Sequence, residues 1–128
     1  MLCFLDTNVC IDLLRGRARG RRLPACTQCR LSSIVVAELW TGVHKSSDLE
    51  KHRKSLMAFL DLFEVLRFDE EAARHYGEIR AHLEGAGTPI GPLDQLIASQ
   101  ARSQGGALLT ANLREFQRVP GLVCLAWE

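Results

Sequence analysis

The stretch LCFLDTN, residues 2–8, decides the fold that the sequence predicts. It begins with four apolar residues and turns polar at Asp6, Thr7 and Asn8. A short unbroken apolar run is typical of a strand buried on both faces, as in a parallel sheet covered by helices. Asp6 then stands at the carboxyl end of that strand, the edge at which open α/β sheets gather their chemistry. We interpret Asn8 as the cap of the following helix, which leaves Asp6 free.

Outward from this stretch, strands and helices alternate along the whole chain. Further strands are predicted around Leu31 and at Glu64–Phe68, Ala107–Leu109 and Leu122–Ala126. Helices are predicted at Val9–Leu14, Ile34–Thr41 (closed by Gly42), Asp48–Phe63, Asp69–Leu83 and Pro92–Ser103, with a helical turn at Leu113–Gln117. This alternation predicts a single α/β domain over residues 1–128, with a central, mainly parallel sheet flanked by helices.

The overall composition is that of an ordinary globular protein. The 128 residues are 47% hydrophobic and 24% charged, with a formal net charge of +1, so no global field attracts nucleic acid. No apolar stretch is long enough to span a membrane, and Met1 leads directly into a strand without the pattern of a signal peptide. We therefore expect a cytoplasmic protein.

The five cysteines support the same expectation, because their number is odd and three lie in apolar segments. Cys3, Cys10 and Cys124 are predicted to be buried free thiols in a reducing compartment. Cys26 and Cys29 form one CxxC, and the second half of a zinc site is missing. We interpret this pair as incidental loop thiols.

Positive charge is concentrated between the first helix and the second strand. Six arginines occur there with no acid among them: Arg15, Arg17, Arg19, Arg21, Arg22 and Arg30. Such a block is typical of a solvated, mobile loop, but it is also what a phosphate backbone binds. The sequence leaves both interpretations open.

Two further carboxylates join Asp6 as candidates for chemistry. Glu38 lies within an apolar helix, where an unpaired charge is costly unless a cation lies nearby. Asp94 falls in the first turn of the helix opened by Pro92, a position that helix dipoles also favour for structural reasons. If these acids converge, they suit a hard divalent cation such as Mg²⁺ or Mn²⁺, which commonly serves phosphodiester chemistry.

Neutral oxygen donors complete this pattern. Thr110 and Asn112 follow a later strand as Asp6 and Asn8 follow the first one, so neighbouring strands would bring them into one crevice. The motifs HExxH, GxSxG, GxGxxG and the Walker loop do not occur in the sequence. Zinc hydrolysis, serine catalysis and nucleotide binding of those types are therefore without support.

Five segments together resemble a known family. They are LDTN (5–8), SSIVVAELWTG (32–42), IGPLDQLIASQA (90–101), LLTANLREFQRVPGL (108–122) and the terminal Trp127. In order and spacing they are similar to PIN-domain ribonucleases of the VapC toxin type, and the likeness spans nearly the whole chain. The resemblance implies a PIN-like three-layer sandwich whose first strand lies beside the strand ending at Thr110.

The resemblance also implies a Mg²⁺- or Mn²⁺-dependent endoribonuclease and assigns roles to matching residues. Asp6, Glu38 and Asp94 would form an acidic triad that holds the metal, with Glu38 helping to orient or deprotonate the attacking water. Thr7 and Thr110 would be supporting hydrogen-bond partners. Asn112 stands at the fourth site position, which is often Asp in the family, and this leaves a second metal ion open. Asn8 is a further supporting candidate. The Arg-rich stretch is not part of the family pattern, and Arg15 and Arg17 are candidate substrate contacts on the strength of their charge alone.

The partners implied by the resemblance are an RNA substrate and a VapB-like antitoxin. The antitoxin's C-terminal segment would occupy the active-site groove, and the toxin would form a homodimer or a larger toxin–antitoxin assembly, away from any membrane. The helices Asp48–Phe63 and Asp69–Leu83 would clamp this partner, with Trp40, Phe59 and Phe63 available to it.

Two other functions remain as alternatives. One is a catalytically silent PIN-fold module that binds RNA or protein without cutting. The other is a phosphatase or receiver-like domain built on the Asp6 strand. Such a phosphatase requires a second Asp where Asn8 stands, which weakens that interpretation.

Overall fold

The computed structural model describes residues 1–25 and 27–128, which form alternating strands and helices. The strands are β1 (Leu2–Leu5), β2 (Gln28–Ser32), β3 (Glu64–Leu66), β4 (Ala107–Thr110) and β5 (Val123–Ala126). The helices are α1 (Thr7–Leu14), α2 (Ser33–His44), α3 (Leu49–Leu60), α4 (Glu70–Gly85), α5 (Pro92–Ser103) and α6 (Leu113–Phe116). Among the helices so described, none is both long and apolar enough to cross a membrane.

All five strands form one parallel sheet in the order β3-β2-β1-β4-β5. From β1 the chain builds outward through β2 and β3, then crosses back to β4 on the other side of β1. The order therefore reverses between β1 and β4, and such a switch point opens a crevice at the carboxyl ends of the two strands. Asp6 follows β1 and Thr110 ends β4, so the predicted neighbourhood of these strands is confirmed.

The two central strands are buried because both of their faces pack against apolar side chains. Cys3, Phe4 and Leu5 of β1 have no exposed surface, and every residue of β4 is buried. Gly106, just before β4, permits this packing, since a Cβ there would lie 3.1 Å from a ring carbon of Phe4. The continuous apolar runs of the sequence thus form the buried centre of the sheet.

Helices α2 to α5 begin within one residue of the predicted positions, and capping side chains fix three of these starts. Ser32 accepts a hydrogen bond from the backbone N–H of Ile34 at 3.0 Å and begins α2. Asp48 and Asp69 cap α3 and α4 in the same way, and Pro92 is the first residue of α5.

One predicted cap is wrong. The N-cap of α1 is Asp6, whose Oδ1 accepts the backbone N–H of Thr7 at 2.8 Å, and Asn8 lies inside the helix. Asp6 is the single residue between the end of β1 and the start of α1. It therefore has the extended backbone that a cap needs, whereas Asn8 is already helical. Asp6 therefore combines a structural role with its place at the crevice.

Some boundaries also differ from the predictions. Helix α2 does not close at Gly42 but continues to His44, because Val43 is buried in the core and holds the last turn in place. Helix α3 ends at Leu60 rather than Phe63, and β3 pairs with β2 only through Leu66. These differences leave the topology unchanged.

The cysteines follow the prediction in part. Cys3 and Cys10 are fully buried free thiols, and burial raises the pKa of the Cys3 thiol to about 11. Cys124 is free but only half-buried. The CxxC prediction involves Cys26, which lies outside the described residues.

A buried amide ties the sheet to the helices behind the crevice. Gln100 of α5 accepts a hydrogen bond from the Ser32 hydroxyl at 2.6 Å and donates to the carbonyl of Leu66 at 2.8 Å and of Arg67 at 3.1 Å. Its side chain is 1% exposed, so water cannot replace these partners. Gln100 therefore fixes α5 relative to β2 and β3.

We expect Gln100→Leu to lower the free energy of unfolding by about 1–3 kcal/mol, because it leaves the buried Ser32 hydroxyl and the part-buried carbonyls of Leu66 and Arg67 without this partner in nearly the same volume. Urea denaturation would measure this loss. Gln104→Leu, an exposed glutamine four residues later, is the matched control and should change stability by less than about 0.5 kcal/mol. Equal stabilities for the two variants would contradict the assigned role of Gln100.

Candidate active site

Asp6 is the most constrained carboxylate at the crevice. Besides capping α1, its Oδ2 accepts a hydrogen bond from the Thr110 hydroxyl at 2.7 Å, which joins the ends of β1 and β4. The side chain is only 5% exposed. Burial raises the pKa of Asp6 and the nearby charge of Glu38 raises it further, whereas the bonds from Thr110 and Thr7 oppose this shift.

Glu38 reaches the same crevice from α2. Its Oε1 accepts a hydrogen bond from the Thr7 hydroxyl at 2.7 Å. Val35 and Leu39 of the same helix are buried, which turns the half-buried Glu38 toward the edge of the sheet. Thr7 thus connects the two acids, with its backbone N–H on Asp6 and its hydroxyl on Glu38.

Asp94 enters from the first turn of α5, where Gly91 makes room for it. The Asp94 Oδ2 lies 3.3 Å from the position that a Cβ of residue 91 would occupy. Burial raises the pKa of Asp94 to about 6, and the charges of Asp6, Glu38 and Glu115 add to the shift. Three acids from separate elements therefore lie close enough to repel one another.

Asn112 and Glu115 form the remaining wall of the crevice. The backbone N–H of Asn112 donates to the Thr110 hydroxyl at 2.9 Å, and its side-chain amide donates to Glu115 Oε2 at 3.0 Å. Glu115 was not among the residues predicted for the site. The signal was present, because Glu115 lies three residues after Asn112 in a helical turn, a spacing that places both on one face.

Two other predicted residues do not contact the acids. Asn8 is exposed in the first turn of α1, and no hydrogen bond in the described part of the chain involves its side chain. Arg17 is exposed beyond the opposite end of α1. Arg15 differs from these two residues in one respect, because it lines the same groove as Glu38.

This groove, of about 700 Å³, lies between α1, α2 and α3. Glu38 lines it together with apolar side chains such as Leu39 and Val43. Its cationic lining comes from Arg15, Lys45 and Lys51. A peptide segment bound in the groove would therefore contact apolar and positively charged side chains, and it would also reach Glu38 at the crevice.

The donor set of the crevice suits a hard divalent cation, since the groups nearest to one another are carboxylate and neutral oxygens. Burial and the neighbouring negative charges together raise the pKa of Asp94, and a bound cation would offset both effects. Over residues 1–25 and 27–128, no group of three or more His, Cys, Asp or Glu side chains is arranged so that it could hold a metal ion. Mg²⁺ does not require such a group, because it retains several bound waters and is usually held by only one or two carboxylates.

Comparisons with known proteins agree with this geometry. Residues 3–122 match the family described as the PIN domain. The chain is 42% identical to a tRNA(fMet)-specific endonuclease VapC of Salmonella typhimurium, covering 96% of each protein, and 36% identical to Ribonuclease VapC2 of Rickettsia felis, covering 100% of this chain and 99% of the relative.

A solved structure is similar over the full length as well. The crystal structure of VapBC2 from Rickettsia felis bound to a DNA fragment from its promoter aligns with a TM-score of 0.90 at 34% identity, and all of both chains is covered. The expected three-layer α/β fold is thereby confirmed. The chain belongs to the PIN-domain family and, within it, to the VapC ribonucleases.

Proposed function

We propose that the protein is a divalent-metal-dependent endoribonuclease that acts as the toxin of a toxin–antitoxin pair, with Mg²⁺ or Mn²⁺ as its cofactor. The observation that carries the proposal is the convergence of Asp6, Glu38 and Asp94 at the switch point, where burial raises the pKa of Asp94 to about 6 and the charges of Asp6 and Glu38 add to the shift. Within one folded chain, such an arrangement costs stability, and a catalytic use of the acids explains it.

In this proposal each acid has a separate role. Asp6 and Asp94 would hold the metal ion, which would polarise the phosphodiester and lower the pKa of water. Glu38, held by the Thr7 hydroxyl, orients the attacking water and accepts its proton. Thr110 keeps the Asp6 carboxylate turned toward the crevice, and Glu115 orients the amide of Asn112.

RNA is the proposed substrate, and tRNA is the first class to test because a relative 42% identical is named for cleaving a tRNA. A VapB-like antitoxin is the proposed partner, since similar chains occur in VapBC complexes. The groove between α1, α2 and α3 would receive its segment, whereas α4 packs mainly on α5. We place the protein in the cytoplasm, where free thiols persist, and propose that it forms a homodimer.

The direct test is Asp6→Asn, assayed for cleavage of bulk tRNA and for growth arrest on expression. We expect the rate of cleavage to fall by more than about 100-fold. Removing a hydrogen-bond partner of a metal ligand typically lowers activity about 10–100-fold, and removing the ligand itself should lower it more. Asp61→Asn removes an exposed acid and serves as the control. Undiminished cleavage by Asp6→Asn would contradict the mechanism, and RNA binding by an inert parent across Mg²⁺ and Mn²⁺ would favour a silent binding module.

Asp94→Asn should stabilise the protein in the absence of metal. Because the folded pKa of Asp94 is raised from 3.8 to about 6, the wild type loses stability as pH rises through that range and stays destabilised above it. Asparagine removes this loss, and we expect a gain of about 1 kcal/mol at pH 7.5 after allowing for partial solvent exposure.

Thermal unfolding with and without Mg²⁺ would measure this effect. Mg²⁺ should stabilise the wild type by mass action and stabilise Asp94→Asn much less. An Asp94→Asn variant that is less stable than the wild type in EDTA would contradict the assigned repulsion.

Thr110→Val removes the hydroxyl that holds Asp6 while preserving shape. We expect metal affinity to fall about 10–100-fold, because outer hydrogen bonds of this kind fix the direction of a ligand. Calorimetric titration with Mn²⁺ would measure it. Thr41→Val, which removes an exposed hydroxyl from α2, should leave the affinity unchanged, and equal affinities for both variants would show that Thr110 does not orient the ligand.

A further inference from the structure

We infer that residues 16–22 form a binding site for RNA phosphates away from the cleaved bond. We call this segment the arginine turn. The inference rests on the proposed endoribonuclease function and adds to it a second contact region, which would make long or folded RNA a better substrate than a short oligonucleotide.

The structure divides the six clustered arginines into two groups. Arg21 pairs with Asp12 at 3.0 Å and Arg30 pairs with Glu64 at 2.9 Å. The other four are exposed, and within residues 1–25 and 27–128 none of them forms a salt bridge: Arg15, Arg17, Arg19 and Arg22. An anionic ligand would therefore meet four guanidinium groups that no protein carboxylate already occupies.

The arginine turn has a defined conformation because the Arg21 side chain bonds to the backbone of the turn itself. The Arg21 guanidinium donates to the carbonyl of Ala18 at 2.8 Å and of Arg17 at 2.9 Å. It also lies 4.8 Å from the centre of the Trp127 ring, and the Trp127 Nε1 donates to Asp12 at 3.0 Å. One arginine thus joins the turn to α1 and to the end of the chain.

The backbone of the arginine turn gives a second indication that its shape is imposed. Gly16 and Gly20 have φ angles of +63° and +81°, and Arg19 has a φ of +53°. Arg19 is the one non-glycine residue with positive φ among the described residues, and such a conformation is strained for an L-residue. Strained backbone of this kind persists only where surrounding contacts impose it, and it is common at functional sites. It therefore indicates an ordered turn rather than a flexible linker.

The position of the arginine turn relative to the acids suits a polyanion. Helix α1 begins next to Asp6 and its eight residues span about 12 Å, so the turn lies beyond the far end of that helix. Arg15 and Glu38 line the same groove, which connects the two regions. The acidic crevice repels phosphates, and free guanidinium groups at this distance would attract the RNA backbone several nucleotides from the bond being cut.

Arginine is the residue suited to this task, because its planar guanidinium binds phosphate oxygens through two parallel hydrogen bonds. Each phosphate contact releases counterions, so the contribution of the turn must weaken as salt concentration rises. No sequence preference follows from phosphate contacts alone. The turn would therefore position RNA, and the crevice would select the bond.

The test compares two triple variants that each remove three positive charges. Arg17→Gln/Arg19→Gln/Arg22→Gln removes the free guanidinium groups of the turn, and Arg53→Gln/Arg74→Gln/Arg80→Gln removes exposed arginines of α3 and α4 that pair with glutamates. For the turn variant we expect KM for bulk tRNA to rise at least about tenfold and the slope of log KM against log salt to fall by about 2, with kcat unchanged.

The control triple should leave both quantities within about twofold of the wild type, allowing only for its weak surface ion pairs. Cleavage of an oligonucleotide of a few nucleotides should be equal for the turn variant and the wild type. If the two triples show the same KM and the same salt dependence, the inference is wrong. It is also wrong if the turn variant loses affinity for duplex DNA and none for tRNA.

Arg21→Met tests the turn's conformation separately, because Arg21 is a positioning residue. We expect a change in Trp127 fluorescence together with a higher KM for tRNA and an unchanged kcat. A changed fluorescence with an unchanged KM would mean that the fixed conformation does not serve RNA.

A binding measurement separates the failure of this inference from failure of the proposed function. Affinity for tRNA is measured in EDTA for Asp6→Asn with and without the three turn substitutions. If the parent cleaves RNA but the turn substitutions do not weaken binding, the inference fails and the nuclease function stands. If the parent never cleaves RNA but the turn substitutions weaken binding, the nuclease function fails and the RNA-binding turn stands.

Discussion

The constraint on which this structure depends is the gathering of like charges at one edge of the sheet. Two threonine hydroxyls make it possible: Thr110 joins Asp6 to the end of β4, and Thr7 joins Glu38 to the start of α1. Asp94 lies near them with no hydrogen bond to its side chain among the described residues, and its pKa is raised by burial and by the nearby charges of Asp6 and Glu38. The fold thus holds together carboxylates that would separate if they were free to do so.

The fold was largely predictable from the sequence because its physical signals are local. The apolar runs of β1 and β4, the caps at Ser32, Asp48 and Asp69, and the proline at the start of α5 each act within a few residues. Element ends were less predictable, because tertiary contacts decide them. The burial of Val43 extends α2 beyond Gly42, and no local pattern in the sequence reports that burial.

The candidate site was predictable in part. Asp6 was identified at the end of a strand, Glu38 within an apolar helix and Asp94 in the first turn of the helix opened by Pro92, and the structure brings their charges together. The cap role of Asp6 was missed, because both Asp6 and Asn8 have side chains that suit a cap and only the backbone geometry selects one. Glu115 was missed although its spacing from Asn112 places both on one face of the helical turn, because only the folded structure shows the hydrogen bond between their side chains.

Function would then be divided between two charged regions at opposite ends of α1. The crevice concentrates negative charge, and the arginine turn presents positive charge that Arg21 and Trp127 hold in place. The small net charge of +1 conceals this division, because the two regions nearly cancel in the total. A distribution of this kind is suited to a polyanion that must be attracted as a whole and neutralised at a single bond.

The most direct measurement is the pKa of the Asp94 carboxyl group, followed by NMR during a pH titration with and without Mg²⁺. If carboxylates of separate elements are gathered to bind a divalent ion, the pKa is about 6 in the absence of metal and falls below the ordinary value of 3.8 when Mg²⁺ is added. A pKa near 3.8 that does not respond to Mg²⁺ would contradict the account, because the acids would then neither repel one another nor share a cation.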